Sequence, residues 1–401
     1  KPSDDFAPNG KLEVITTASF DQTPNWASRW EDLLATDKYL KEEVSLDPEA
    51  PIIHIFTSGT TGEPKGVSLP VKALSCIEAY AEFAYDLRQT DVFWNAADPG
   101  WAYGLYCGIL ATLTTGTPAI LFEGGFSAQA TVDIIEKQKI TNFAAAPTVY
   151  RSLRADGIEI SNRHKLRCLS SAGEPLTPEI NEWAKSFFGL SVHDHYGQTE
   201  TSMVINNHHH PELKTELRDG SMGKVMPGWS ATVLKNDEDI PEKPGIPGRV
   251  AFIVDKSPFY WFAGYIGNPQ KSAEKYSKDK KYYLTGDTGS VDNDGYYYFS
   301  TRDDDVIIMA GYRIGPFEVE SALSTHNAVA ECAVIATPDT VRGEVIESFV
   351  VLMPRKEKSD QLTEELQKWV KTNFAAHAYP RHITYVDELP KTPSGKIQRF
   401  I

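Results

Sequence analysis

The chain holds 401 residues, 41% of them hydrophobic and 24% charged, enough for two globular domains or more. Its formal net charge of −15 excludes a general nucleic-acid binder, which needs a basic surface, but leaves room for small anionic ligands at a local positive site. No apolar run reaches membrane-spanning length, the N-terminus has no signal-peptide pattern, and Cys76, Cys107, Cys168 and Cys332 lie far apart without a CxxC, as in a reduced cytoplasmic protein.

In chain order, residues 1–50 are polar, with an aromatic piece, Trp26 to Trp30, leading into an expected short helix over 30–39. The apolar run 52–56 reads as a buried strand. Helices are expected over 71–87, 105–114 (buried), 127–138, 148–156 and 178–188, and strands over 92–96, 119–122, 142–145, 166–171 and 191–195. This alternation predicts an α/β domain with a largely parallel sheet. From about Gly223 the pattern turns to strands, 230–234, 248–254, 282–287 and 296–301, which reads as a smaller β-rich subdomain. Arg302-Asp303-Asp304-Asp305 marks a solvated boundary, since adjacent carboxylates repel. Beyond it, helices at 317–324 and 363–374 and strands at 329–337, 347–353 and 382–386 predict a small α+β domain. The predicted division is therefore 1–304, large, and 305–401, small.

Five segments carry chemistry. Thr57-Ser58-Gly59-Thr60-Thr61-Gly62-Glu63-Pro64-Lys65-Gly66 packs three glycines, four hydroxyl residues and a lysine into ten positions. Glycine admits close backbone N–H approach, hydroxyls donate, and lysine adds charge, so the segment reads as a phosphate grip rather than a surface turn. It is not a Walker A loop, because counting from Gly59 places Pro64 where the second glycine belongs. Ser170-Ser171-Ala172-Gly173-Glu174-Pro175-Leu176 ends a strand with small residues against which a flat ring could lie, and reads equally as a strand-to-helix turn. Tyr196-Gly197-Gln198-Thr199-Glu200-Thr201 follows another strand end, where ligands gather in α/β sheets, and Glu200 could hold Mg²⁺. Taken alone, it reads rather as a capped helix start. Tyr283-Leu284-Thr285-Gly286-Asp287, with Arg302 beyond it, could hold a ribose diol; alone, it reads as a turn aspartate and a surface arginine. Pro390-Lys391-Thr392-Pro393-Ser394-Gly395-Lys396-Ile397 constrains Lys396, a point charge suited to an anionic transition state, although alone Lys396 reads as a solvated lysine. His208-His209-His210 reads as a solvated loop rather than a metal site.

Together and in this order, these segments resemble the adenylate-forming superfamily of acyl-CoA synthetases, luciferases and peptide-synthetase adenylation domains. The match runs from about residue 50 to the end and is most similar to the medium-chain acyl-CoA synthetases. The resemblance implies that a carboxylate attacks the α-phosphate of ATP, releasing pyrophosphate, and that a thiol, usually of coenzyme A, then displaces AMP. Thr57, Ser58, Gly59, Thr60, Thr61, Gly62 and Lys65 would hold the phosphates, with Thr60 and Glu200 at Mg²⁺. Gly173, Glu174 and Pro175 would flank adenine, with Asp194, Tyr196, Gln198 and Thr199 near the nucleotide. Asp287 and Arg302 would hold ribose. Arg313 would reach the phosphates, and Lys396 would bridge the carboxylate and the α-phosphate.

The small domain would swing about a hinge at Asp304, bringing Gly311 and Tyr312 to coenzyme A. Trp101, Ala102, Tyr103, Ala172 and Gly197 would line the acyl pocket. Acetate-specific members carry tryptophan where this chain has Gly197, so a medium-chain or aryl acid larger than acetate is expected. A carrier-protein thiol as acceptor, or a nucleotide-binding but inactive fragment, are the alternatives. The partners are the acid, ATP and coenzyme A, with no nucleic acid and no membrane span; a homodimer is left open. The start at Lys1 and the stop at Ile401 read as cut ends, and family members carry a longer stretch before the phosphate loop.

Overall fold

The computed structural model describes residues 14–16, 27–29, 45–57, 64–161, 164–302, 305–309, 312–339, 343–391 and 397–399, the side chains of 14–16, 27–29, 312, 313 and 343 excepted. The chain divides into two compact units, Lys1–Asp47 and Pro48–Ile401. In the first, β1 (Val14–Thr16) and β2 (Ala27–Arg29) pair in parallel. The helix expected over 30–39 lies outside the described residues.

The second unit opens with β3 (Pro51–Thr57) and β4 (Lys65–Pro70), a two-stranded antiparallel sheet. The expected strand is there but is not fully buried: Ile55 is buried, Ile52 and Ile53 pack part-buried against the same core, and Phe56 is 58% exposed. The pair packs in one core with α1 (Ala73–Phe83). Next come β5 (Phe93–Asn95), a π-helix over Tyr103–Leu110 that runs on as α2 (Ala111–Thr115), and β6 (Ala119–Ile120). The helix expected to be buried at 105–114 is buried on one side only, with Leu113 73% exposed. The alternation continues through α3 (Ala128–Lys137), β7 (Asn142–Ala145), α4 (Pro147–Asp156), β8 (Cys168–Ala172), α5 (Pro178–Phe188) and β9 (Val192–Gln198).

Strands β6, β5, β7, β8 and β9 are parallel neighbours. Side chains alternate across them, as strand geometry requires. Phe93, Ala144 and Ala172 join a core with α1 and the π-helix, while Trp94, Phe143 and Leu169 join a separate core with α3, α4 and α5.

The chain then reverses. After β9 come β10 (Ser202–Asn206), β11 (Ser221–Val225), β12 (Ala231–Leu234), β13 (Gly248–Ile253), a short α6 (Pro269–Ala273), β14 (Tyr282–Val291) and β15 (Tyr297–Arg302). These strands do not form a separate β-rich body. They extend the same sheet antiparallel, giving eleven strands in the order β12-β13-β14-β15-β11-β10-β9-β8-β7-β5-β6. Register shifts interrupt β9–β10, β11–β15, β13–β14 and β14–β15. Such bulges bend strands and add twist, so this half of the sheet curls. Gly223 belongs to the same device: its φ is 94°, and an added Cβ would lie 2.2 Å from the main chain of Asn206.

The last part is a five-stranded sheet with its own core. A hairpin of β16 (Ile307–Met309) and β17 (Tyr312–Ile314) leads to α7 (Pro316–Ser324), β18 (Val329–Asp339), β19 (Gly343–Leu352), α8 (Asp360–Asn373) and β20 (His382–Tyr385). β18 takes one edge of β19, and β16 and β20 share the other, at its two ends. Val319, Leu323, Leu366 and Val370 place α7 and α8 on the core. No described helix is long and apolar enough to cross a membrane.

Candidate functional site

The end of β9 and the middle of β14 meet at Asp287. Its Oδ2 accepts hydrogen bonds from the Tyr196 hydroxyl at 2.5 Å and from Gln198 Nε2 at 2.9 Å. Gln198 Nε2 also donates to the Thr285 carbonyl at 2.9 Å, and the Tyr283 hydroxyl donates to Gln198 Oε1 at 2.9 Å, which fixes the amide. Arg302 stands directly across the ladder from Asp287. Asp287 is not in a turn, as its local sequence suggested, but inside a strand and buried. Burial pushes its carboxyl above the usual range, partly offset by Tyr196, Arg302, Lys275 and Gln198.

Strands β9 and β14 are four places apart in the sheet, about 19 Å if the sheet were flat. The curl alone makes the Tyr196–Asp287 contact.

Glu200 lies beside this cluster. The segment 199–201 is a tight connection between β9 and β10, so the helix start that its local sequence favoured does not form. Tyr265 donates its hydroxyl to Glu200 Oε1 at 2.5 Å, and Lys65 Nζ sits 5.6 Å from the Tyr265 ring centre. Burial pushes the Lys275 ammonium down, with Glu200 and Asp287 acting to raise it; its Nζ donates to the Thr285 carbonyl at 2.9 Å. Lys65, Glu200, Tyr196, Gln198 and Asp287 are thus brought together. Among the described residues no group of three or more His, Cys, Asp or Glu could hold a metal ion. One carboxylate fits a Mg²⁺ ion whose other ligands are phosphate oxygens and water.

β8 ends at the fully buried Ala172, and the chain turns at Gly173, φ 98°. Glu174 accepts from Thr148 Oγ1 at 2.9 Å and from Arg151 Nη2 at 2.5 Å. Asp194, on β9, is buried, and its Oδ1 has no hydrogen-bond partner. Burial holds its carboxyl well above the usual range. An unmatched buried acceptor suits a ligand amine.

Trp101, Ala102 and Tyr103 open the π-helix, which reaches β9's far end through the Tyr106 hydroxyl, 3.2 Å from the Thr199 carbonyl. Tyr103 accepts from the Tyr85 hydroxyl at 3.2 Å. Gly197 does not leave open space for an acyl chain. A Cβ there would stand 2.0 Å from the Ser202 carbonyl oxygen, so glycine is demanded by main-chain packing. The inference of acid size from Gly197 is corrected accordingly. Thr57 closes the β3–β4 hairpin, its Oγ1 3.5 Å from the Lys65 carbonyl.

The histidine loop is not solvated. His208 and His209 are 5% and 8% exposed, and the His209 ring stacks on His193 at 3.6 Å. His209 and His210 donate their backbone N–H groups to Ala84 and Phe83 carbonyls, which draws the loop under α1. Ser58, Gly59, Thr60, Thr61, Gly62, Asp304, Gly311 and Lys396 lie outside the described residues, as do the side chains of Tyr312 and Arg313. Tyr265, Lys275 and Arg151 were not anticipated, and Tyr283 stood in its segment without a role of its own. Lys275 and Arg151 stand singly among ordinary helix-forming residues, and the glycines beside Tyr265 read only as a turn.

An AMP-binding enzyme family model matches residues 4–259, and an AMP-binding enzyme C-terminal domain model matches 318–396. The mitochondrial acyl-coenzyme A synthetase ACSM3 of Rattus norvegicus is 39% identical over 86% of this chain, which spans only 59% of that protein. Among solved structures, an acyl-CoA synthetase of Brucella canis is 45% identical with a TM-score of 0.69, covering 96% of this chain and 69% of that one. A benzoate CoA ligase of Burkholderia xenovorans LB400 is 28% identical with a TM-score of 0.84, covering 97% and 74%.

Proposed function

The chain belongs to the AMP-binding enzyme family, and from that premise we propose that it joins a carboxylic acid to coenzyme A through an acyl adenylate. One acid oxygen attacks the α-phosphorus of ATP, the bond to the β-phosphate oxygen breaks, and pyrophosphate leaves. The thiolate of coenzyme A then attacks the acyl carbon, and AMP departs with the bonding electron pair.

The observation that carries this reading is the doubly held carboxylate of Asp287. Its Oδ2 is fixed by Tyr196 and Gln198 across the curled sheet, opposite Arg302. A buried carboxylate so oriented accepts from the two hydroxyls of a ribose. The orphaned Oδ1 of Asp194 takes the adenine amine, and the turn at Gly173–Pro175 lies against the ring. Glu200 holds Mg²⁺, which would neutralise phosphate charge when bound. Lys65 is assigned to the departing pyrophosphate, and so, on their places in the sequence, are Ser58 to Gly62. Lys396 and Arg313 are assigned to the phosphates, Asp304 to the hinge, and Gly311 and Tyr312 to coenzyme A, on their places in the sequence. The protein's contribution is positioning and fixed charge.

The test is pyrophosphate release from ATP with acetate, butyrate, octanoate and benzoate, with and without coenzyme A. Acid-dependent release and a coenzyme A thioester are expected. No release with any of these acids overturns the adenylation reading in favour of a nucleotide-binding but inactive fragment. Release without a coenzyme A product moves the acceptor to a carrier-protein thiol. The four cysteines, all free and buried, support a reducing compartment such as the cytoplasm.

A further inference from the structure

An ionic chain crosses from the turn after β8 to the C-terminal sheet. Arg151, on α4, donates to Glu174 Oε2 at 2.5 Å, while its Nε lies 3.5 Å from Oε1 of Glu331 on β18. The other Glu331 oxygen lies 2.8 Å from Lys391 Nζ. Arg151, Glu174 and Glu331 are 13%, 14% and 13% exposed. Cation and anion alternate, so the chain is neutral as a whole. Removing Arg151 would leave two largely buried carboxylates, Glu174 and Glu331, short of a partner.

Lys391 is also the base of the C-terminal motif. Its backbone bridges Ile397, and the Gln398 N–H donates to the Pro390 carbonyl at 2.9 Å. The far side of this stem is held by Arg399, whose Nη2 reaches both Glu320 oxygens at 2.9 and 2.8 Å. The Arg399 pair stays within the C-terminal sheet and its helix. The Lys391 pair continues through Glu331 into Arg151 and the large sheet.

The links are unequal. Thr148 braces the Arg151–Glu174 link, accepting from Arg151 Nη2 at 2.9 Å and donating to Glu174 at 2.9 Å. The Arg151–Glu331 link makes no hydrogen bond, and both facing atoms, Arg151 Nε and Glu331 Oε1, are buried without a hydrogen-bond partner. Two buried, unmatched polar atoms of opposite charge at this separation gain a hydrogen bond by closing further. This is the place where the ionic chain can tighten.

We propose that Arg151 is a positioning residue that couples the turn at Gly173–Pro175 to the base of the C-terminal motif at Lys391. The proposal rests on the nucleotide reading given above. A ring against the turn sets Glu174, Glu174 sets Arg151, and Arg151 draws in Glu331 together with Lys391.

The test is backbone hydrogen exchange of the whole chain with and without AMP, read on the peptide 386–391. AMP should slow exchange there by roughly fivefold or more. Glu331→Gln, equal in size and lacking the charge, should abolish the AMP effect, and so should Lys391→Gln. A purely structural role would change exchange equally with and without AMP. AMP binding seen by calorimetry without slowed exchange at 386–391, or an undiminished AMP effect in both variants, overturns the proposal alone. Absence of AMP binding overturns the nucleotide reading and the coupling with it.

Discussion

Arg167 and Arg151 each stand between two carboxylates, but they are held differently. Arg167 joins Asp86, after α1, to Asp91, before β5, entirely within the large sheet's margin. Its Nε donates to Asp91 Oδ1 at 2.8 Å, its Nη1 to Asp86 Oδ2 at 2.8 Å, and its Nη2 to Asp91 Oδ2 and the Asp86 carbonyl. Arg151 spans two sheets and leaves its Nε unmatched. A saturated arginine fixes one geometry, whereas one with a spare donor leaves room for a second. The first is scaffold and the second is a joint.

The largest break in this contrast is Arg167→Met. It strands Asp91, only 3% exposed, leaves Asp86 to Arg88 alone, and should cost about 3–5 kcal/mol in urea unfolding while sparing the AMP effect at 386–391. Loss of that effect at retained fold would make Arg167 a joint as well.

Acid should separate the two regions next. Burial raises the Asp91 carboxyl, but bonds from Arg167, Thr141 and the Arg88 backbone bring it below the usual range. Its contribution is therefore complete above the unfolded carboxylate value and is lost only as pH falls through the lower folded one. Burial holds His193 and His208 down at about 4. Unfolded histidine titrates near 6.5, so the unfolded chain binds more protons between these values. Stability should fall by about 1.4 kcal/mol per pH unit per histidine as pH drops from about 6.5 towards 4. Replacing His208 by leucine should remove about one proton from that slope, measured by urea titrations at successive pH values. A slope unchanged by that replacement would remove His208 from the account.

The smallest expected effect is the stability change in Glu331→Gln, within about 1 kcal/mol, because Lys391 is partly solvated and Arg151 keeps its bonds to Glu174 and Thr148. A loss as large as that of Arg167→Met would erase the distinction between joint and scaffold.

Much of this was legible in the sequence. The parallel half of the sheet followed from alternating apolar runs, and the motif order pointed to Asp287, Tyr196 and Glu200 before any geometry. β10, β11 and the β16–β17 hairpin were missed, being short runs beside motifs whose glycines and carboxylates looked like loop. Local pattern also misplaced Glu200 in a helix start, since a strand reversal and a helix cap use the same small polar residues. The burial of His208 and His209 could not be read locally. Their neighbours, Phe83, Ala84 and Leu169, are distant in sequence, as is the Ser202 carbonyl that forbids a side chain at Gly197.

The curl that joins Tyr196 to Asp287 has a mechanical consequence. The sheet between β9 and β14 is a bow, and the hydrogen bond between these residues is its string. A residue inserted in β11 or β15, far from any reacting atom, would therefore slacken it.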